Sequence, residues 1–95
     1  MLDTFFKYLQ FEKRYSSHTL VSYQNDLNQF SRYLLEQFQT TDLLKAEHRH
    51  IRSWVVNLMQ EGVKPRSINR KIIALRSFYK FAISREAILQ NPTQK

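Results

Sequence analysis

The chain has 95 residues, enough for one domain and too few for two. Its 42% hydrophobic and 14% aromatic content argues against disorder, and the absence of cysteine excludes a disulfide scaffold, a thiolate metal site and a cysteine nucleophile. The formal net charge is +7, and one glycine with two prolines is too little punctuation for many short hairpins, so an all-α fold is expected.

Leu2, Phe5, Phe6 and Leu9 repeat at helical spacing, which predicts a first helix over about 3–13 with Asp3 as N-cap. Asp3, Lys7, Glu12, Lys13 and Arg14 break any signal-peptide core here, and no apolar run is long enough to span a membrane. A cytoplasmic protein with no membrane partner is therefore expected. Tyr15-Ser16-Ser17 interrupts the pattern, and either serine can cap a second helix over about 17–38. Its apolar stripe is Leu20, Tyr23, Leu27, Phe30, Leu34 and Phe38; His18, Ser22, Asn25, Gln29, Arg32 and Glu36 form the polar face. A polar connection leads to Leu43-Leu44, an apolar plug of unassigned form. A third helix is predicted over about 47–60, with Ile51, Trp54, Val55 and Leu58 inward and Gly62 at its C-terminal end.

Past Val63-Lys64-Pro65, a fourth helix is predicted over about 67–85, with Ser67 as N-cap or in the first turn. At 100° per residue, Ile68, Ile72, Leu75, Tyr79 and Ala82 share a core arc, with Phe78 and Ile83 at its margins. Arg70, Ile73, Arg76, Ser77 and Lys80 share the opposite arc, about 120° wide, with Arg66 and Asn69 at its N-terminal end. Asn91-Pro92 ends the pattern, because a residue before proline avoids the helical region.

The charge is unevenly placed. Residues 1–61 hold seven basic and seven acidic side chains, whereas residues 62–85 hold seven basic ones and no acid. Such a concentration creates a local positive field, the usual footprint of a polyanion partner. The competing reading is a solvated face that merely aids solubility, although such faces usually mix signs. A helix fits the major groove of B-DNA, where edge Lys and Arg reach phosphates and central Arg, Asn and Ser reach base edges. The start of the second helix (Ser16, Ser17, His18, Thr19 and Ser22) offers hydroxyls and free N–H groups with no acid before Asp26.

Two blocks resemble a known family. Glu12-Lys13-Arg14-Tyr15-Ser16-Ser17-His18-Thr19-Leu20 with Tyr23, Asp26-Leu27 and Phe30 is similar to the opening of the core-binding domain of tyrosine recombinases. Pro65-Arg66-Ser67-Ile68-Asn69-Arg70-Lys71 through Leu75-Arg76-Ser77-Phe78-Tyr79-Lys80-Phe81 is similar to the last helix of that domain, and Asn91-Pro92 to its exit. Within the phage-integrase superfamily the Xer branch is the most similar. A transposon or phage integrase is the other placement.

The resemblance implies a four-helix, SAM-like bundle over residues 1–90 that grips duplex DNA. Residues 91–95 would begin a linker to a catalytic domain absent from this chain. The family's DNA-facing positions fall on Ser17, His18, Thr19, Ser22 and Tyr23 and, in the last helix, on Arg66, Ser67, Asn69, Arg70, Arg76, Ser77 and Lys80. This chain would then not itself be an enzyme. The whole protein would cut DNA through a 3′-phosphotyrosine and exchange strands by way of a Holliday junction, together with other recombinase subunits in a synaptic tetramer. Chromosome dimer resolution is what the Xer likeness suggests.

Each of these positions also has a structural reading. Arg70 and Arg76 contact DNA or pair with an acid on another helix. Asn69 reads a base or caps the fourth helix. Thr19 and Ser22 meet phosphate or have a capping or solvated role, and Tyr23 is either purely core or packs its ring inward with its hydroxyl reaching phosphate. Ile73 could touch a thymine methyl or only fill space. His48 and His50, two apart, lack ligand spacing, so no metal and no cofactor are expected. No tyrosine has a catalytic cluster around it. Two further classes stay open: a helix-turn-helix regulator that binds DNA without cutting it, and a protein-interaction bundle with a basic face.

Overall fold

Four helices and one short 3-10 turn follow one another along the chain: α1 (Leu2–Phe11), α2 (Ser17–Phe38), the 3-10 turn (Leu43–Lys45), α3 (His48–Gln60) and α4 (Pro65–Ser84). They are seen in a computed structural model that describes residues 1–94; Lys95, the last residue of the expected linker start, lies outside the described residues. No strand occurs among the described residues. The all-α, four-helix expectation is met, and each boundary has a local cause.

Helix α1 starts at Leu2, with Met1 in the cap position. Asp3 is therefore not the N-cap; it sits in the first turn, where a carboxylate faces the positive end of the helix dipole. The turn to α2 puts Arg14 at φ 54°, and Ser16 is the serine that caps α2, its Oγ accepting from Thr19 N–H at 3.2 Å. Gln39, at φ 53°, ends α2. Helix α3 ends in a Schellman turn: Gly62 N–H donates to Met59 O at 3.1 Å and Val63 N–H to Leu58 O at 3.0 Å. Gly62 stands at φ +82°, with nothing near the place a Cβ would occupy. Helix α4 begins two residues earlier than predicted, because Pro65 presets φ and has no N–H to leave unpaired. Ser67 is thus in the first turn and is not the cap, and Asn69 lies too far inside the helix to cap it.

The core is one cluster. Phe5 and Leu9 of α1, Leu27, Phe30 and Leu34 of α2, Leu43, Ile51, Trp54 and Leu58, and Leu75, Phe78, Tyr79 and Phe81 of α4 are all buried. Phe5 meets Phe78 edge-on at 5.4 Å and Phe81 at 5.4 Å, and Phe30 lies 5.0 Å from Trp54. The Tyr79 hydroxyl donates to Leu43 O at 2.7 Å, which ties the 3-10 turn to α4. Helix α4 therefore touches all three other helices, and its buried arc spreads over Lys71, Ala74, Leu75, Phe78, Tyr79, Phe81 and Ala82. Ile68 and Ile72 are only partly buried, and Ile83 is exposed. The core centre is rotated from the predicted arc towards α1 and α2.

Residues 91–93 fold back onto α3. Asn91 and Pro92 are buried, Asn91 Oδ1 accepts from Thr93 N–H at 2.9 Å, and Pro92 O lies 3.0 Å from His48 Nδ1.

Candidate nucleic-acid interface

Helices α2 and α4 run antiparallel. Asp26 of α2 meets Arg70 and Lys71 of α4, whereas Tyr23, one turn earlier, lies beside Ser77, farther along α4. The start of α2 consequently flanks the C-terminal half of α4. Residues predicted from separate parts of the sequence thus come together on one flank.

Ser17 and His18 are exposed at that helix start, and Ser22 is half-buried. Thr19 is half-buried and committed to the cap, its N–H and hydroxyl both meeting Ser16 Oγ. Tyr23 is half-buried and packs edge-on against Tyr15 at 5.8 Å. Burial pushes its phenol pKa upward, and the neighbouring Ser77 side chain opposes that shift.

Along α4, Arg66, Asn69, Arg76 and Lys80 are exposed, and Ser67 and Ser77 are half-buried. Ile73 is exposed among them. None of the ion pairs among the described residues involves Arg66, Arg76 or Lys80. Arg70 differs. Its Nε donates to Asp26 Oδ2 at 3.1 Å and its Nη2 to Asp26 Oδ1 at 3.0 Å. Of the two readings open for Arg70, the pairing with an acid on another helix is thus present, and the basic row is not clear of carboxylates at this position. The reason is angular: Arg70 lies at the α2 edge of the exposed arc, where the buried Asp26 is within reach. The hydrogen bonds to Asp26 raise the Arg70 pKa further above its ordinary value, so the side chain keeps its proton.

Three residues at this flank were outside the predicted set. Asp26 is fully buried, and Lys71 Nζ donates to its Oδ1 at 2.9 Å and also to Gln29 Oε1. Lys71 is buried, which a lysine tolerates only when paired, as it is here to Asp26. Lys13 lines a cleft of about 280 Å³ between α1 and α4, together with Tyr15, Ser77, Lys80 and Ser84. The Asp-Leu pair in α2 and the Arg-Lys pair in α4 were visible in the sequence. What was missing was the pairing between them.

No group of residues able to hold a metal ion occurs among the described residues. His48 and His50 do different work: His48 meets Pro92 O, and His50 Nδ1 accepts from Glu47 N–H at 2.9 Å at the start of α3. Burial, reinforced by the adjacent Arg49 cation, lowers the His50 pKa below its ordinary value. No helix is long and apolar enough to cross a membrane among the described residues.

The fold and the flank define an all-helical domain with one cationic side, built from the last helix and the start of the second. The comparisons with known proteins place it more narrowly. Residues 2–86 match the family described as phage integrase, N-terminal SAM-like domain, and the chain belongs to that family. It is 36% identical over 91 residues to a tyrosine recombinase XerC of Anoxybacillus flavithermus, covering 96% of this chain and 30% of the relative. It is 37% identical over 90 residues to that of Bacillus subtilis, covering 95% and 29%, and 39% identical over 88 residues to that of Listeria monocytogenes, covering 93% and 29%. The chain thus spans less than a third of the length of these relatives. No solved structure gives a match.

Proposed function

We propose that this chain is the DNA-gripping domain of a site-specific tyrosine recombinase. The observation that carries the reading is the basic face of α4 beside the capped start of α2, with Arg66, Arg76 and Lys80 exposed and in no ion pair among the described residues. Arg66 and Lys80 are fourteen residues apart, roughly 21 Å along a helix, or about six phosphate spacings of one DNA strand. Arg66, Arg76 and Lys80 neutralise phosphates. Asn69, Ser77 and Arg70 lie where base edges or sugar-phosphate oxygens come within reach. Ser17, His18 and Ser22 present hydroxyl, imidazole and backbone N–H donors to a further phosphate, and Ser67, Thr19 and Tyr23 support that surface from its rim.

Family membership favours this reading over a helix-turn-helix regulator and over a protein-interaction bundle. The relatives are tyrosine recombinases of which the match covers about 30%, which supports a reading in which cleavage through a tyrosine belongs to a part of the whole protein outside the matched segment. In this reading the whole protein exchanges DNA strands with further recombinase subunits, and the likeness to XerC proteins supports chromosome dimer resolution as its task.

The test is duplex binding at several salt concentrations. If Arg66, Arg70, Arg76 and Lys80 each neutralise one phosphate, log K falls against log[salt] with a slope of about −3.6. A slope near zero, or no binding to duplex DNA at low salt, rejects the proposal. An Arg66→Ala/Arg76→Ala/Lys80→Ala variant that binds with wild-type affinity rejects it equally.

A further inference from the structure

Asp26 is the only carboxylate at the basic flank to take part in an ion pair among the described residues, and it is the most deeply buried acid there. Its side chain is 1% exposed, that of Lys71 8% and that of Arg70 47%. The carboxylate thus has one buried cationic partner and one that reaches solvent. Two of the five guanidinium N–H groups of Arg70 are committed to Asp26 in a fork, which fixes the plane of the guanidinium. The other N–H groups have no partner among the described residues.

A buried ion pair is a poor device for stability alone, since desolvation cancels much of its Coulomb attraction and an apolar pair of similar volume does as well. Two features point elsewhere. First, an arginine held in one orientation loses less side-chain entropy when it meets a ligand. Second, a lone Asp26–Arg70 pair would be neutral and would attract a phosphate weakly. Lys71, paired to the same oxygen from the buried side, cancels the carboxylate and leaves the cluster with one net positive charge.

Building on the proposed DNA-binding reading, we propose that Asp26 is a positioning residue that aims Arg70 at the DNA backbone, and that Lys71 compensates the Asp26 charge so that the aimed guanidinium stays cationic to its ligand. Asp26 acts through Arg70 and does not itself touch DNA.

The probe is a mixed-sequence DNA duplex titrated with this chain over a range of salt. The Asp26→Asn/Lys71→Met variant keeps the net charge and leaves no buried unpaired ion, but frees Arg70. It is expected to bind about two- to tenfold more weakly with an unchanged salt slope. Lys71→Met alone leaves Arg70 aimed but neutralised, and should make the slope shallower by about 0.9. In an Arg70→Ala background, Asp26→Asn/Lys71→Met should weaken binding no further, because the group being aimed is gone. Equal weakening with and without Arg70 would show a general structural role and overturn the inference. So would wild-type affinity of Asp26→Asn/Lys71→Met, or an unchanged slope for Lys71→Met. If Asp26→Asn/Lys71→Met fails to fold, as judged by helical circular dichroism and cooperative melting, Arg70→Lys serves in its place. It keeps the charge but cannot form the fork, and wild-type affinity in that variant overturns the inference. Failure of the unaltered chain to bind duplex removes the DNA reading itself, and this inference with it. If the unaltered chain binds duplex and Asp26→Asn/Lys71→Met binds equally well, only the role of Asp26 and Lys71 is removed.

Discussion

The two halves of α4 are held by different forces. Its C-terminal half is gripped by rings: Phe78 and Phe81 against Phe5, and Tyr79 with its hydroxyl on Leu43 O. Its N-terminal half meets α2 through Asp26, Arg70, Lys71 and Gln29. The aromatic half is tolerant of direction and strong through area, since ring pairs add only about 0.5–1.5 kcal/mol beyond burial. The charged half gains little net free energy but accepts one geometry only, because every donor there must find its acceptor. Stability is thus concentrated at one end of the helix and register at the other.

The sharpest way to break this contrast is at the aromatic end. Phe78→Ala opens a cavity beneath α1 and should cost about 3–5 kcal/mol of unfolding free energy in a denaturant titration. At the charged end the outcome should depend on how the cluster is removed. Asp26→Ala leaves Lys71 buried without its carboxylate and should cost about 3 kcal/mol. Asp26→Leu/Lys71→Met removes both buried charges together and should cost less than about 1.5 kcal/mol in the same measurement. A loss as large as that of Asp26→Ala would mean that the cluster is a stabiliser in its own right. Smaller still is the cap: Ser16→Ala should cost about 1 kcal/mol, seen as a lower thermal midpoint.

Acidification supplies a probe that touches neither half. The folded His50 pKa is lowered from 6.5, so as pH falls the unfolded chain takes up the proton first. The stability due to neutral His50 is present in full above about pH 6.5 and is lost as pH falls through its lower folded value. Glutamine at this place can accept the same Glu47 N–H without titrating. His50→Gln should therefore flatten the midpoint between about pH 7 and pH 5. An equal acid slope in that variant would move the source to another group.

Much of this was legible in the sequence, for physical reasons. The period of Leu27, Phe30 and Leu34 marks the buried face of α2, and all three are buried. Gly62 after α3 signals a left-handed cap, which it forms. The 3-10 turn at Leu43 was not assignable, because its anchor is Tyr79, far along the chain. The buried arc of α4 differs from its apolar stripe by part of a turn, because three neighbouring helices widen it. The exposed candidates Arg66, Arg76 and Lys80 follow from angular position alone. The exposure of Arg70 follows from it too, but its partner does not: the carboxylate that holds Arg70 and Lys71 lies some 45 residues earlier, and a single helix's pattern carries no such information.

One turn carries a consequence of its own. At Gly62 the surroundings are open, yet the backbone has the torsion that L-residues avoid. Handedness, and not volume, limits that position. A chemically synthesised chain with D-alanine there would have the mirror preference the turn requires, and its unfolded ensemble would be narrowed. Such a chain should melt above the natural one, whereas L-alanine at the same place should melt below it.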